Sequence, residues 1–179
     1  ALMQQSSALS LMYCIELIES QGFYSLETFL NRKQLEESKS PRMLLKDHRM
    51  NEVRRLIEQL EIEHPKIGYL IKILKERFDS QFNLNRTSNL TDSDLEKKSR
   101  VLVFTQYRDT VQHLVELLNK YKIKASRFVG QSNRQGVPGM KQEEQKIILE
   151  NFKKGDFNVL VATSIAEEGL DIPEVDLVV

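Results

Sequence analysis

FNVLVATSIAEEGLDIPEVDLVV, Phe157 to Val179, decides how this chain is read. Asn158 to Ala162 has the length and apolar character of a strand covered on both faces. It runs into Thr163-Ser164, then an acidic turn, then Gly169-x-Asp171-x-Pro173. In open α/β sheets the sites lie at the carboxyl ends of the strands. This order therefore sets a hydroxyl pair, a tight glycine and a lone aspartate at that edge.

Upstream, the same alternation continues. Val101-Leu-Val-Phe-Thr105 is a second buried strand, and Val111, Leu114, Val115 and Leu118 form the face of a following helix. Ala125 to Val129 reads as strand, Lys141 to Lys154 as helix with Ile147, Ile148 and Phe152 inward, and Val175 to Val179 as a last strand. Strand, helix, strand, helix, strand implies right-handed crossovers and a parallel sheet.

The earlier part is helical. Ala8, Leu11, Ile15 and Ile18 recur at helical spacing before Gly22, and Leu26, Phe29 and Leu30 follow Ser25. Val53, Leu56, Ile57 and Leu60 give one apolar stripe, and Ile67, Leu70, Ile71, Leu74 and Phe78 give another behind Pro65. Residues 80 to 98, SQFNLNRTSNLTDSDLEKK, are polar and aperiodic and read as a flexible link. The expected organisation is a helical domain over 1–80, a linker over 81–99 and an α/β domain over 100–179. The chain opens on helix-like sequence and stops inside a strand, so both ends read as cuts through a longer protein.

Charge narrows the partners only locally. The chain has 26 basic and 26 acidic residues, 15 of each before residue 100 and 11 of each from there on. The stretch 120–142 holds six basic residues, Lys120, Lys122, Lys124, Arg127, Arg134 and Lys141, and no acid. That pattern fits either a solvated surface or a phosphate contact. Cys14 is the single cysteine, which excludes an intrachain disulfide and fits a reducing compartment. It lies on an apolar helical face, as a core residue would. The three histidines have no ligand spacing, so no metal site is expected. No apolar run reaches the ~20 residues of a membrane span, so the expectation is a soluble protein inside the cell, nuclear if the source is eukaryotic.

Ser164-x-x-Glu167 is a capping box, which by itself accounts for both residues. A helix beginning there would also aim free N–H groups and the positive end of its dipole out of the sheet edge, a setting for phosphate. Asp171 is open to two readings, a turn residue before Pro173 or an acceptor for sugar hydroxyls. Thr105-Gln106-Tyr107-Arg108 and Gly130-Gln131 arrive at the same edge from the other strands. Three strand ends with donors, beside a basic stretch, point to a polyanion groove.

VLVFTQYRDT (101–110), RFVGQSN (127–133) and the stretch 139–179 resemble the second RecA-like domain of superfamily 2 helicases, within the family of archaeal Hef helicase–nucleases and Fanconi anaemia M proteins and, more distantly, RIG-I-like RNA sensors. SSALSLMYCIELIESQGFYSLETFL (6–30) and HPKIGYLIKILKE (64–76) are similar to the helical insertion between the two motor domains of that family. The resemblance implies an α/β fold: a DNA-gripping helical insertion, then a RecA-like, P-loop-NTPase-like helicase C-terminal domain truncated at its carboxyl end.

It also implies roles by position. Gln106, Tyr107 and Arg108 would lie along the translocated strand, as would Arg127, Gly130 and Gln131. Thr163 and Ser164 would contact phosphate, and Gly169 and Asp171 would face the ATP ribose. The chain lacks a G-x-x-x-x-G-K-[ST] phosphate loop and an acidic metal-binding box, so Mg²⁺ would be held by a first RecA-like domain in cis. The arginine-bearing segment expected after Val179 is absent, leaving no catalytic residue here. The implied parent is an ATP-dependent DNA helicase acting on branched or forked DNA in repair, with a nuclease domain or a replication clamp as further partners. The fragment alone would not hydrolyse ATP. Rival readings are a non-catalytic DNA- or protein-binding module and an unrelated nucleotide-binding fold such as a glycosyltransferase.

Overall fold

The computed structural model describes residues 2–35, 45–60, 63–87, 99–133, 138–163 and 172–179. Contacts divide the chain into two compact units, Ala1–Pro65 and Lys66–Val179.

The first unit is built from α1 (Leu2–Ser20), α2 (Phe23–Leu35) and α3 (His48–Gln59). Gly22 ends α1 in the left-handed region at φ +91°, and a Cβ there would stand 2.9 Å from the His64 Cβ. Both facts call for glycine. Cys14 and Leu17 of α1, Leu26, Phe29 and Leu30 of α2, and Met50 and Ile57 of α3 are buried. The rings of Tyr13 and Phe29 meet edge to face at 4.9 Å, a geometry that aromatic quadrupoles favour. Burial pushes the Cys14 thiol up to about 11, which keeps it protonated as a small core apolar group. Two expectations change here. The stripe Leu11, Ile15 and Ile18 is exposed, and the inward row is Cys14 and Leu17. The second helix begins at Phe23, ahead of Ser25, which is a buried residue inside it.

In the second unit α4 (Pro65–Thr87) precedes β1 (Val101–Thr105), α5 (Arg108–Lys120), β2 (Ala125–Phe128), α6 (Gln142–Lys154), β3 (Val159–Thr163) and β4 (Leu177–Val178). The strands form one sheet in the order β2-β3-β1-β4, and every pairing is parallel. All five residues of β3 are buried, which explains its continuous apolar run. Covering a Val or Leu side chain contributes roughly 1.5–3 kcal/mol, so this central strand anchors the unit. Ile67, Leu70 and Leu74 of α4 join the same core as Val101, Val159 and Val161. The contact boundary at Pro65/Lys66 thus falls inside the span 1–80 that periodicity groups together.

Helix α4 continues through Thr87, past the point where the polar stretch begins. Asn, Ser and Gln cost only a few tenths of a kcal/mol each in a helix already nucleated. Residues 88–98 lie outside the described residues. In α6 the inward row is Gln145, Ile148, Leu149 and Phe152, while Ile147 faces out. A glutamine holds one of the four inward places, which is why the apolar pattern alone misplaced the face.

Candidate nucleic-acid interface

Parallel pairing brings three strand ends to one edge. Thr105 ends β1 and Thr163 ends β3, and the two are register partners. Phe128 of β2 pairs with Ala162, so the chain leaves β2 one step further on, at Val129 and Gly130. Gln106 is exposed and Tyr107 half-buried at the start of α5. Tyr107 occupies the N-cap with φ −116° and ψ 142° and makes no side-chain cap hydrogen bond. The first-turn N–H groups of α5 therefore rise from the same edge as Thr105.

The loop after β2 is held from three sides. Arg108 is only 7% exposed. Its Nη2 donates to the Gly130 carbonyl at 2.9 Å, and its Nη1 donates to the Ser132 carbonyl. Gln145 Nε2 donates to the Val129 carbonyl at 2.9 Å. The Met140 N–H donates to the Gly130 carbonyl at 3.1 Å, so the outgoing chain closes on the incoming one. The Gly139 N–H adds a 2.8 Å bond to Asn133 Oδ1. A Cβ on Gly139 would fall 1.9 Å from the Gln131 carbonyl oxygen, an approach only glycine permits.

The site residues named from sequence separate on this frame. Gln106, Tyr107, Gly130, Gln131 and Thr163 share the edge. Arg108 belongs to it, with its guanidinium turned onto loop carbonyls. Arg127 lies within β2 and is half-buried. The acid-free stretch 120–142 does not form one rim. Lys120, Lys122 and Lys124 precede β2, at the opposite end of the strand from Lys141. Ser164, Gly169 and Asp171 lie outside the described residues.

Thr163 is 3% exposed, and its Oγ1 has no hydrogen-bond partner among the described residues. Gln145 Oε1 shares that condition. Gln145 is the loop-holding residue that sequence reasoning passed over. Its signal was a polar side chain at an inward helical position, and buried amides sit where they have a backbone group to serve. Among the described residues no three His, Cys, Asp or Glu side chains are grouped to hold a metal ion, and no helix is long and apolar enough to cross a membrane.

Comparison with known proteins places the chain in a family. Residues 83–179 match the family described as helicase conserved C-terminal domain. A Methanocaldococcus jannaschii protein named as an ATP-dependent RNA helicase is 38% identical over 174 residues, covering 97% of this chain and 20% of that protein. The ATP-dependent DNA helicase mph1 of Neurospora crassa is 38% identical over 183 residues, covering 95% of this chain and 15% of that protein. The crystal structure of the Pyrococcus furiosus Hef helicase domain superposes with a TM-score of 0.68 at 39% identity, over 99% of this chain and 34% of that one. The chain thus spans a fifth or less of the length of these curated relatives. On the match of residues 83–179, the chain belongs to the helicase conserved C-terminal domain family, and its parallel-sheet unit is a RecA-like domain.

Proposed function

We propose that this chain is part of an ATP-dependent DNA helicase or translocase that acts on branched or forked DNA, and that it supplies strand contacts and one wall of the ATP cleft. The observation that carries this reading is the shared edge: Thr105 and Thr163 in register, with the Gly130–Ser132 loop fixed beside them by Arg108. Donors clustered at one strand edge suit the sequence-independent recognition of a phosphate backbone. In this proposal Gln106, Tyr107, Gly130, Gln131, Thr163 and Ser164 face the strand. Arg127 sits along β2, and Arg108 acts through the loop it holds.

Gly169 and Asp171 are proposed to face the ribose of ATP. When bound, ATP with Mg²⁺ supplies the phosphoryl transfer that drives motion, and a first RecA-like domain would hold the metal. This chain's part is to bind sugar and strand. Residues 1–80 are proposed as the helical insertion that grips duplex or branched DNA, joined by 81–99 to the domain over 100–179. The DNA preference follows the helicases named for DNA among the relatives, and a location inside the cell follows from such a substrate. Nuclease or clamp partners belong to the same proposal.

Titrating the 179-residue chain with fork DNA across a salt series, and assaying its ATP hydrolysis alone, tests the reading. Affinity should fall steeply with salt and be nearly independent of base sequence. Turnover should be absent with and without DNA. Affinity indifferent to salt would remove the strand-contact role, and DNA-stimulated turnover would remove the division of labour.

A further inference from the structure

The other end of the same sheet carries a cavity of about 570 Å³. Small-molecule sites commonly measure roughly 300–1,000 Å³. Lys75 and Phe78 of α4 form one wall, and the turn Tyr121–Lys124 between α5 and β2 forms the other. Asn158, just before β3, also lines it, and Asp79 is the one acid among its lining residues. All of these residues lie in the second unit. Strand β2 separates this cavity from the Thr105–Thr163 edge.

The turn is built rather than loose. The Lys122 N–H donates to the Asn119 carbonyl and the Ile123 N–H to the Leu118 carbonyl, both at 2.9 Å. That pair of bonds closes a helix through a left-handed residue, a place that ordinarily selects glycine or asparagine. Here the residue is Lys122, at φ 64°. The Asn119 side chain clamps the far side, accepting from the Ala125 N–H and donating to the Ala125 carbonyl. The N–H groups of Asn158 and Val159 donate to the Lys124 carbonyl at 3.0 and 3.1 Å, which ties the turn to β3. A lysine kept in a conformation unfavourable to it, on a rigid turn and lining a cavity, is the kind of outlier that marks a site.

The chemistry of the walls names the ligand class. Three lysines against one aspartate favour an anion. Lys75 Nζ stands 4.9 Å from the centroid of the Tyr121 ring, and that ring remains exposed. Ammonium groups around an exposed aromatic face are the combination that binds a phosphate together with a stacked base. We propose that this cavity is a nucleotide-binding site separate from the helicase edge, with Lys122 and Lys124 on the phosphate and Tyr121 beside the base. The nucleotide is either a free nucleoside diphosphate or one unit of a strand. The proposal stands without the helicase reading, because none of its residues belongs to the Thr105–Thr163 edge.

Amide spectra of the isotope-labelled chain, titrated separately with ADP and with a 5′-phosphorylated thymidine tetranucleotide, test it. The expected result is saturable shifts at Lys122, Lys124 and Asn158 with at least one probe. Shifts with ADP alone make the source a free nucleotide, and shifts with the tetranucleotide alone make it a strand. Lys122→Gly suits the left-handed position, so it should fold and melt no lower than wild type. With Lys124→Ala added, affinity at this site should fall about tenfold, as expected for the loss of charge-assisted contacts. Shifts confined to Gly130–Ser132 and Thr163, unchanged affinity in the double variant, or equally tight binding of hexaglutamate would overturn the proposal.

Discussion

Arg108 Nη2 lies 2.9 Å from the Gly130 carbonyl oxygen, joining the first residue of α5 to the loop after β2 across 22 positions of sequence. A buried guanidinium with both terminal nitrogens on backbone carbonyls is a strap. It sets where Gly130, Gln131 and Ser132 stand at the strand edge.

Removing that strap should cost stability and binding together. Arg108→Ala strips donors from the buried Gly130 carbonyl and the Ser132 carbonyl, and hydrogen bonds to charged groups contribute roughly 1.5–3 kcal/mol each. The unfolding free energy measured by urea denaturation should fall by at least one such contribution, about 1.5–3 kcal/mol. DNA affinity should weaken while the log–log salt slope stays at the wild-type value, because no phosphate partner is lost. A slope reduced by about one would return Arg108 to direct phosphate contact. Lys cannot reproduce the fork, so Arg108→Lys should behave like the alanine variant.

Gly139→Ala tests how closely the two sides of that loop approach. The added Cβ would meet the Gln131 carbonyl oxygen at 1.9 Å, so the backbone must move. A loss of roughly 1–3 kcal/mol is expected, as for overpacking elsewhere. Weaker DNA binding should accompany it if Gln131 faces the strand. Wild-type thermal stability would show that the loop takes the methyl group without strain.

The first unit has a pH-sensitive cap. Asp47 opens α3 and accepts from the Arg49 N–H at 2.9 Å, while Arg49 Nη2 reaches its other oxygen at 2.8 Å. The Arg49 side chain, then its backbone N–H, hold the carboxyl well below the usual carboxylate range. A depressed folded value stabilises the fold above the unfolded pKa of about 3.9 and loses that contribution as pH falls below it. Amide protection factors at Arg49 and Met50, corrected for the intrinsic pH dependence of exchange, should therefore fall below about pH 4. Asp47→Asn should show the lower protection factors already at neutral pH, without the acid-dependent change.

Asp171 separates the sugar-binding and turn readings. In the full-length protein, Asp171→Asn should lower DNA-stimulated ATP hydrolysis through a raised KM for ATP, with DNA affinity unchanged. Wild-type ATP kinetics would make Asp171 a turn residue before Pro173.

Local patterns in the chain were enough to establish its architecture. A short run that is apolar on both faces, Val159 to Ala162, reads as a covered strand, and its alternation with amphipathic helices implies parallel pairing, as found in β2-β3-β1-β4. Thr105, Gly130 and Thr163 fall at one edge because parallel strands all end on the same side. These conclusions depend on period and strand direction, which are properties of neighbouring residues. The tertiary structure decided what depends on distant ones. Amphipathic spacing marks a stripe without saying how much of it is covered, so Leu11 and Ile15 proved exposed while Cys14 and Leu17 went inward. A polar residue gives no sign of its partner, so Gln145 took a core position to reach the Val129 carbonyl. A run of like charge reads as one patch until a strand passes through it, and β2 sends Lys122 and Lys124 to one end of the sheet and Lys141 to the other. Nothing local in the sequence pairs Arg108 with the carbonyls of Gly130 and Ser132, which folding brings within its reach. A buried charge takes the nearest acceptors that desolvation leaves it, and those acceptors exist only once the chain has closed.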